Sequence, residues 1–177
     1  MNTKKTWLVF PTLFILICAL LAGYFILIGS GMFNQPNLTL ILLTAAVIIL
    51  LSSSKKTFYF ILLPLSLLHA IYAPTGLNFG APSYQYIASL FATDMLETKE
   101  FLLQIPISSY LIAFSIPILI FVQYKSAVKF DIKFYQNKTF IVFTTLLFAY
   151  HLPISAPLKE TVDSTVKILD EVQKLKK

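Results

Sequence analysis

The sequence predicts an all-α membrane protein: a five-transmembrane-helix bundle with an amphipathic interfacial helix in the loop between helices 3 and 4. Three observations support this. Hydrophobic residues make up 57% of the chain and charged residues 12%, with a mean hydropathy of +0.78, whereas soluble domains are about 25% charged. Apolar runs of membrane-spanning length recur along the chain, and lysines are concentrated in particular segments between them.

The predicted spans follow from the thickness of the bilayer. A hydrocarbon core about 30 Å thick requires about 20 predominantly apolar residues per helix. Runs of this kind occupy residues 7–28, 37–51, 57–73, 106–124 and 139–152. None of them contains Asp, Glu, Lys or Arg, which argues against a carrier that uses paired charges within the membrane.

Two domains are predicted. Residues 1–157 form the transmembrane domain, and residues 158–177 form an amphipathic connector helix with valine and leucine at helical spacing. The first span is expected to be retained, because its apolar stretch is longer than that of a signal peptide and no small-residue cleavage site follows it.

The lysines predict the orientation. All 14 basic residues are lysine. Eight of them precede the first span or follow the second and fourth: Lys4, Lys5, Lys55, Lys56, Lys125, Lys129, Lys133 and Lys138. By the positive-inside rule the N-terminus is cytoplasmic, and residues 74–104 and the C-terminal tail are periplasmic. Topology explains the net charge of +6, so we expect no nucleic-acid partner.

A few residues within the spans carry separate predictions. The single cysteine, Cys18, is expected to be a buried apolar residue. His69 is expected to be a core histidine bonded to a neighbouring helix, and His151 an interfacial residue. No spacing of Cys, His, Asp or Glu indicates a metal site in this chain. Ala19 and Gly23 form a small-x-x-x-small pair that could bring two helices close together.

The loop after the third span is the most polar part of the membrane domain. Pro74, Gly76, Gly80 and Pro82 predict turns or irregular backbone in its first part. A helix is predicted over residues 83–104, with one side defined by Ser89, Thr93 and Glu97. Periodicity alone leaves two interpretations open: this polar side simply meets water, or its carboxylate and hydroxyls accept hydrogen bonds from a lipid headgroup.

Three segments of this region resemble a known family: Ala73-Pro74, then Phe79-Gly80-Ala81-Pro82-Ser83-Tyr84, then Ala92-Thr93-Asp94-Met95-Leu96-Glu97. They are similar to the N-terminal membrane domain of bacterial phosphoethanolamine transferases, in which a YG-x-P-N-like turn precedes a helix carrying T-[ND]-x-x-E. The resemblance implies that Thr93 and Glu97 contact the phosphatidylethanolamine donor. Ser89 takes a position that is Asn in some members.

The resemblance also implies that donor binding and catalysis are located in different domains. Members of the family carry an outward-facing catalytic domain after the fifth span, with a threonine nucleophile and bound zinc. That domain is missing here, so we expect this chain alone to be catalytically incomplete, with zinc only in a separate or downstream domain. The alternative is a stand-alone, non-catalytic accessory or lipid-binding membrane protein of the same family.

Overall fold

The computed structural model describes residues 3–81 and 95–151, with side chains over residues 9–81 and 96–150. Within these residues the regular structure is entirely helical. The helices are α1 (Thr3–Gly29), α2 (Leu38–Leu51), α3 (Lys55–Phe79), α4 (Met95–Gln104), α5 (Ile107–Lys129) and α6 (Lys138–His151). A short 3₁₀ turn, Phe134–Gln136, lies between α5 and α6.

Three of the described helices are long and apolar enough to cross a membrane: Val9–Gly29 within α1, α3, and α5. The helices α2 and α6 are apolar but shorter, with 14 residues each. At a rise of about 1.5 Å per residue, each is about 21 Å long, less than the hydrocarbon thickness of about 30 Å. The prediction of an all-α membrane protein is therefore confirmed, whereas the number of crossings depends on these two shorter helices.

The centre of the bundle is formed by α1, α3 and α5, which pack against one another, while α2 flanks α1 and α6 flanks α2. Small and branched residues fill the interior, as where Ala22 of α1 meets Ala113 and Ile116 of α5. Near the lysine-bearing end, the ring of Phe58 stacks on that of Tyr124, with centroids 3.8 Å apart. This interior is narrow, because most large apolar side chains point outward.

The outer surface of the central helices is strongly apolar. Phe60 and Ile71 of α3 are 80% and 77% exposed, and Phe114 of α5 is 66% exposed. Contiguous exposed side chains of this kind are unfavourable in water and favourable against lipid tails. The exposed surface and the helix lengths thus identify the same environment, a lipid bilayer.

The small-residue pair of α1 mediates its contact with α2, as predicted. Ala19 is fully buried. A Cβ placed on Gly23 would lie 3.2 Å from the Ala45 nitrogen and 3.3 Å from the Ile41 oxygen. The absence of a side chain on Gly23 therefore lets the two backbones approach closely.

The structure corrects the predicted end of the third span. Pro74 and Gly76 were expected to break the chain after residue 73, but α3 continues through both and ends at Phe79. Proline removes one N–H donor, so the Ala70 carbonyl loses its usual helical partner, but the helix continues here with Ala73, Pro74 and Gly76 all buried. In the last turn, Asn78 Nδ2 donates to the Pro74 carbonyl at 2.7 Å. Gly80, with φ of 85°, then ends the helix.

A second irregularity lies near the start of α3. Residues Phe58–Leu62 form a π-helical turn, in which the Leu63 N–H donates to the Phe58 carbonyl. Pro64 follows at once and cannot donate to the carbonyl four residues before it. Local π adjustments of this kind are one way in which helices of membrane proteins tolerate proline.

Candidate functional site

The ends of α1 and α3 meet in a contact that only glycine permits. A Cβ on Gly29 would lie 2.9 Å from the Ala73 Cβ, and a Cβ on Gly76 would overlap the Gly29 carbonyl oxygen. Ala73 and Gly76 are both buried. The two helix backbones therefore touch directly at this end of the bundle, which is the end away from Lys55 and Lys56.

The chain segments that leave these helices also meet. Gly31 has φ of 70° and packs against the Gly80 backbone. The Tyr72 hydroxyl donates to the Gly80 carbonyl at 2.8 Å. Because both glycines adopt left-handed backbone conformations, which side chains disfavour, this crossing holds the exit of α3 in a defined position.

Asn78 connects the same region to α5. Its Nδ2 donates to the Ser109 hydroxyl at 2.9 Å in addition to the Pro74 carbonyl. One amide thus joins the last turn of α3 to the first turn of α5. This polar contact fixes the two helix ends that enclose the predicted headgroup loop.

The helix α4 contacts the end of α3 through an aromatic pair. The rings of Phe79 and Phe101 stack with centroids 4.9 Å apart and an interplanar angle of 29°. The Tyr110 hydroxyl of α5 donates to the Leu102 carbonyl at 2.8 Å. Between α4 and α5 lies an open groove of about 460 Å³, lined by Thr98, Lys99, Leu102, Leu103 and Tyr110. The surface of this groove is mainly apolar.

Of the three predicted site residues, the structure describes Glu97 alone. Glu97 is exposed and belongs to the first turn of α4. It lies four residues before Phe101, and residues at this spacing share one face of a helix. Glu97 therefore lies on the same side of α4 as Phe101, whose ring stacks on Phe79 at the end of α3. Ser89 and Thr93 lie outside the described residues, as do positions 83–94 of the predicted helix and the predicted connector helix.

The two histidines have different outcomes. His69 is half-buried, and its Nε2 lies 3.2 Å from the position that a Cβ on Gly29 of α1 would take, so it lies against the neighbouring helix, while a hydrogen bond to that helix stays a prediction. Its Nε2 is buried without a hydrogen-bond partner among the described residues. Cys18 is buried, as expected. His151 ends α6, and its side chain lies outside the described part of the chain.

Two polar contacts were not predicted from the sequence. The first is the Asn78 contact with Ser109, because Asn78 was assigned to the turn after the third span. The second lies at the opposite end, where Gln123 Nε2 donates to the Ser52 hydroxyl at 2.9 Å. Amides within or beside apolar runs were the signals that could have indicated both. Residues 3–81 and 95–151 contain no group of three or more potential metal ligands.

The apolar exterior, the three long helices and the helix packed across one end of the bundle define a membrane protein. Comparison with known proteins then confirms the resemblance. The chain is 76% identical over 175 residues, 99% of its length, to a Haemophilus influenzae protein named "Putative phosphoethanolamine transferase". The chain spans 36% of the length of that curated relative. No protein-family model and no solved structure matches the chain.

Proposed function

We propose that this chain is the membrane domain of a phosphoethanolamine transferase, which anchors the enzyme in the bacterial inner membrane and binds its phosphatidylethanolamine donor. The observation that carries the proposal is the 76% identity to the Haemophilus influenzae protein over almost the whole chain. Because the chain spans 36% of that relative, we assign the transfer step to a catalytic domain outside these 177 residues.

In this proposal all five apolar helices cross the membrane, with the N-terminus cytoplasmic and the tail periplasmic. The geometry supports this arrangement. The α2–α3 turn with Lys55 and the end of α5 with Lys129 meet at one end of the bundle, where Ser52 and Gln123 are bonded. The α4 helix packs at the other end, on Phe79. The positive-inside rule then places α4 on the periplasmic side, where it forms part of the predicted interfacial helix.

The proposed donor site is centred on Glu97, with Thr93 and Ser89 on the preceding turns of the same predicted helix face. Phosphatidylethanolamine has a primary ammonium group with three N–H donors, and a carboxylate and hydroxyls can accept hydrogen bonds from them. The charge of Glu97 opposes that of the ammonium, and the adjacent groove offers an apolar wall at Leu102 and Leu103. Together these groups would hold the headgroup at the membrane surface.

The remaining steps belong to the proposed catalytic domain. The connector, residues 158–177, would lead from the membrane domain to a nucleophile and zinc outside this chain. Phosphoethanolamine would pass from the donor to a cell-envelope glycan or lipid acceptor. This chain anchors the enzyme and holds the donor lipid, so its contribution is to position the substrate rather than to break a bond.

The proposal is tested by lipid selectivity. The purified chain is reconstituted in nanodiscs with equal amounts of phosphatidylethanolamine and phosphatidylcholine, and the retained lipids are counted by native mass spectrometry. We expect preferential retention of phosphatidylethanolamine, because the trimethylated headgroup has no N–H to donate. Equal retention of the two lipids would contradict a donor site of this chemistry.

A further inference from the structure

A second pocket lies at the lysine-bearing end of the bundle, remote from α4. It has a volume of about 320 Å³ and is formed by the α2–α3 turn, the end of α5 and the segment that follows it. Its polar lining includes Ser53, Lys55, Asp131, Lys133 and Tyr135. The donor site proposed above uses none of these residues.

The charge within this pocket is positive. Lys55 and Lys133 contribute two cations and Asp131 one anion, and Lys133 Nζ lies 3.1 Å from Asp131 Oδ1. The hydrogen bond from Lys133 to Asp131 raises the pKa of the lysine. The pocket therefore favours an anion.

The backbone reinforces this preference. The α3 helix begins at Lys55, and its N-cap residue Ser54 makes no side-chain capping hydrogen bond. The first N–H groups of an α-helix lack intrahelical partners and carry partial positive charge. Ser53 and Lys55, which flank this helix start, both line the pocket, and the partial positive charge of a helix start favours an anion near it.

The pocket also has an apolar wall, which distinguishes an amphiphile from a soluble anion. Ile49, Val128, Ile132 and Phe134 line it, and Val128 is 61% exposed on the outer surface of α5. A ligand with an anionic head and a hydrocarbon tail matches both parts of the lining. Basic pockets between membrane helices bind lipid head groups by the same physical means.

We propose that this pocket binds the phosphate of an anionic membrane phospholipid, with Lys55 and Lys133 as its principal ligands. Asp131 forms an ion pair with Lys133 when the pocket is empty, and the phosphate replaces Asp131 in that ion pair when the lipid binds. The pocket is thus a second lipid site, in the leaflet opposite the proposed donor site, and it selects the anionic headgroups that the donor site does not. It does not depend on the donor proposal.

The test uses phosphatidylglycerol as the probe and a matched pair of double variants. The chain is reconstituted in nanodiscs containing phosphatidylglycerol and phosphatidylethanolamine, and retained lipids are counted by native mass spectrometry. The pocket variant is Lys55→Gln with Lys133→Gln. The control is Lys56→Gln with Lys129→Gln, which removes the same charge from the same end of the bundle but touches no pocket-lining residue.

We expect the pocket variant to retain severalfold less phosphatidylglycerol than the control, because both variants lose the same general attraction to an anionic surface but only the pocket variant loses lysines that line the pocket. Equal losses in the two variants, or none in either, would overturn the proposal. Displacement of the lipid by millimolar glycerol 3-phosphate would identify a soluble phosphate site and would also overturn it.

A variant that should bind more phosphatidylglycerol tests the same pocket even if the double variant fails to fold. Asp131 has φ of 51°, a conformation that Asn tolerates as well as Asp. Asp131→Asn therefore keeps the turn but frees Lys133 from its ion pair. We expect it to retain severalfold more phosphatidylglycerol than the unsubstituted chain. An unchanged or reduced retention would contradict the role assigned to Lys133.

Discussion

The buried amide of Gln123 shows how single polar residues shape this bundle. Gln123 has no exposed surface and donates through Nε2 to the Ser52 hydroxyl, which itself donates to the Ile49 carbonyl. Its Oε1 is buried without a partner among the described residues. The two ends of this hydrogen bond are therefore unequal: Ser52 has a second interaction, whereas Gln123 depends on Ser52.

This inequality predicts that two conservative substitutions change the free energy of unfolding by different amounts. Ser52→Ala should lower the free energy of unfolding by about 1–3 kcal/mol, because it leaves both ends of a buried amide unpaired. Gln123→Met should be close to neutral, because it removes the unpaired oxygen and Ser52 keeps its bond to Ile49. Thermal denaturation in detergent micelles compares the two variants. A larger loss for Gln123→Met would contradict this assignment.

At the scale of the helix, the contact between α1 and α3 depends on the absence of side chains. Gly76→Ala would drive a Cβ into the Gly29 carbonyl and to 2.9 Å from the Tyr72 ring. Rigid backbone cannot yield as a flexible side chain can, so we expect a loss of about 1–3 kcal/mol, the usual cost of overpacking. The melting temperature of the purified variant measures it.

Gly23→Ala is the matched control for that substitution. It adds the same methyl group to a helix interior, but its Cβ would meet α2 atoms only at 3.2 Å or more. We expect a clearly smaller decrease in melting temperature for Gly23→Ala. Equal decreases would mean that the glycine content of the helices, rather than the α1–α3 contact, determines the cost.

Most helix positions in this protein follow from hydropathy, because a bilayer imposes long apolar runs. The predicted runs at residues 37–51, 106–124 and 139–152 correspond to α2, α5 and α6 with small shifts at their ends. The error at α3 has a physical cause. Local propensity treats Pro74 and Gly76 as breakers, whereas in the folded chain both residues are buried and α1 packs directly on Gly76.

The site was less accessible to sequence reasoning than the helices were. The motif around Glu97 predicted a headgroup role, but the helix arrangement depends on hydrogen bonds between residues that are distant in the chain. Asn78 and Ser109, at the end that carries α4, are 31 residues apart, and Gln123 and Ser52, at the opposite end, are 71 residues apart. Such pairs arise from helix packing in three dimensions, and a single sequence carries no periodic signal for them.

At the scale of the whole molecule, the orientation is open to a direct test. The one native cysteine, Cys18, is buried, so engineered cysteines can be labelled against a silent background. We expect Asn34→Cys, in the exposed α1–α2 loop, to react with a membrane-impermeant maleimide in intact spheroplasts. Lys129→Cys, which is exposed at the opposite end of α5, should react only after the membrane is opened. The reverse pattern would invert the topology.

We propose that the end of this bundle that carries α4 holds phosphatidylethanolamine through Glu97. The most direct test is native mass spectrometry of the chain and of Glu97→Ala. Glu97 is exposed, so the substitution removes no buried packing. We expect Glu97→Ala to lose bound phosphatidylethanolamine severalfold. Equal retention of this lipid in the two proteins would contradict the proposal.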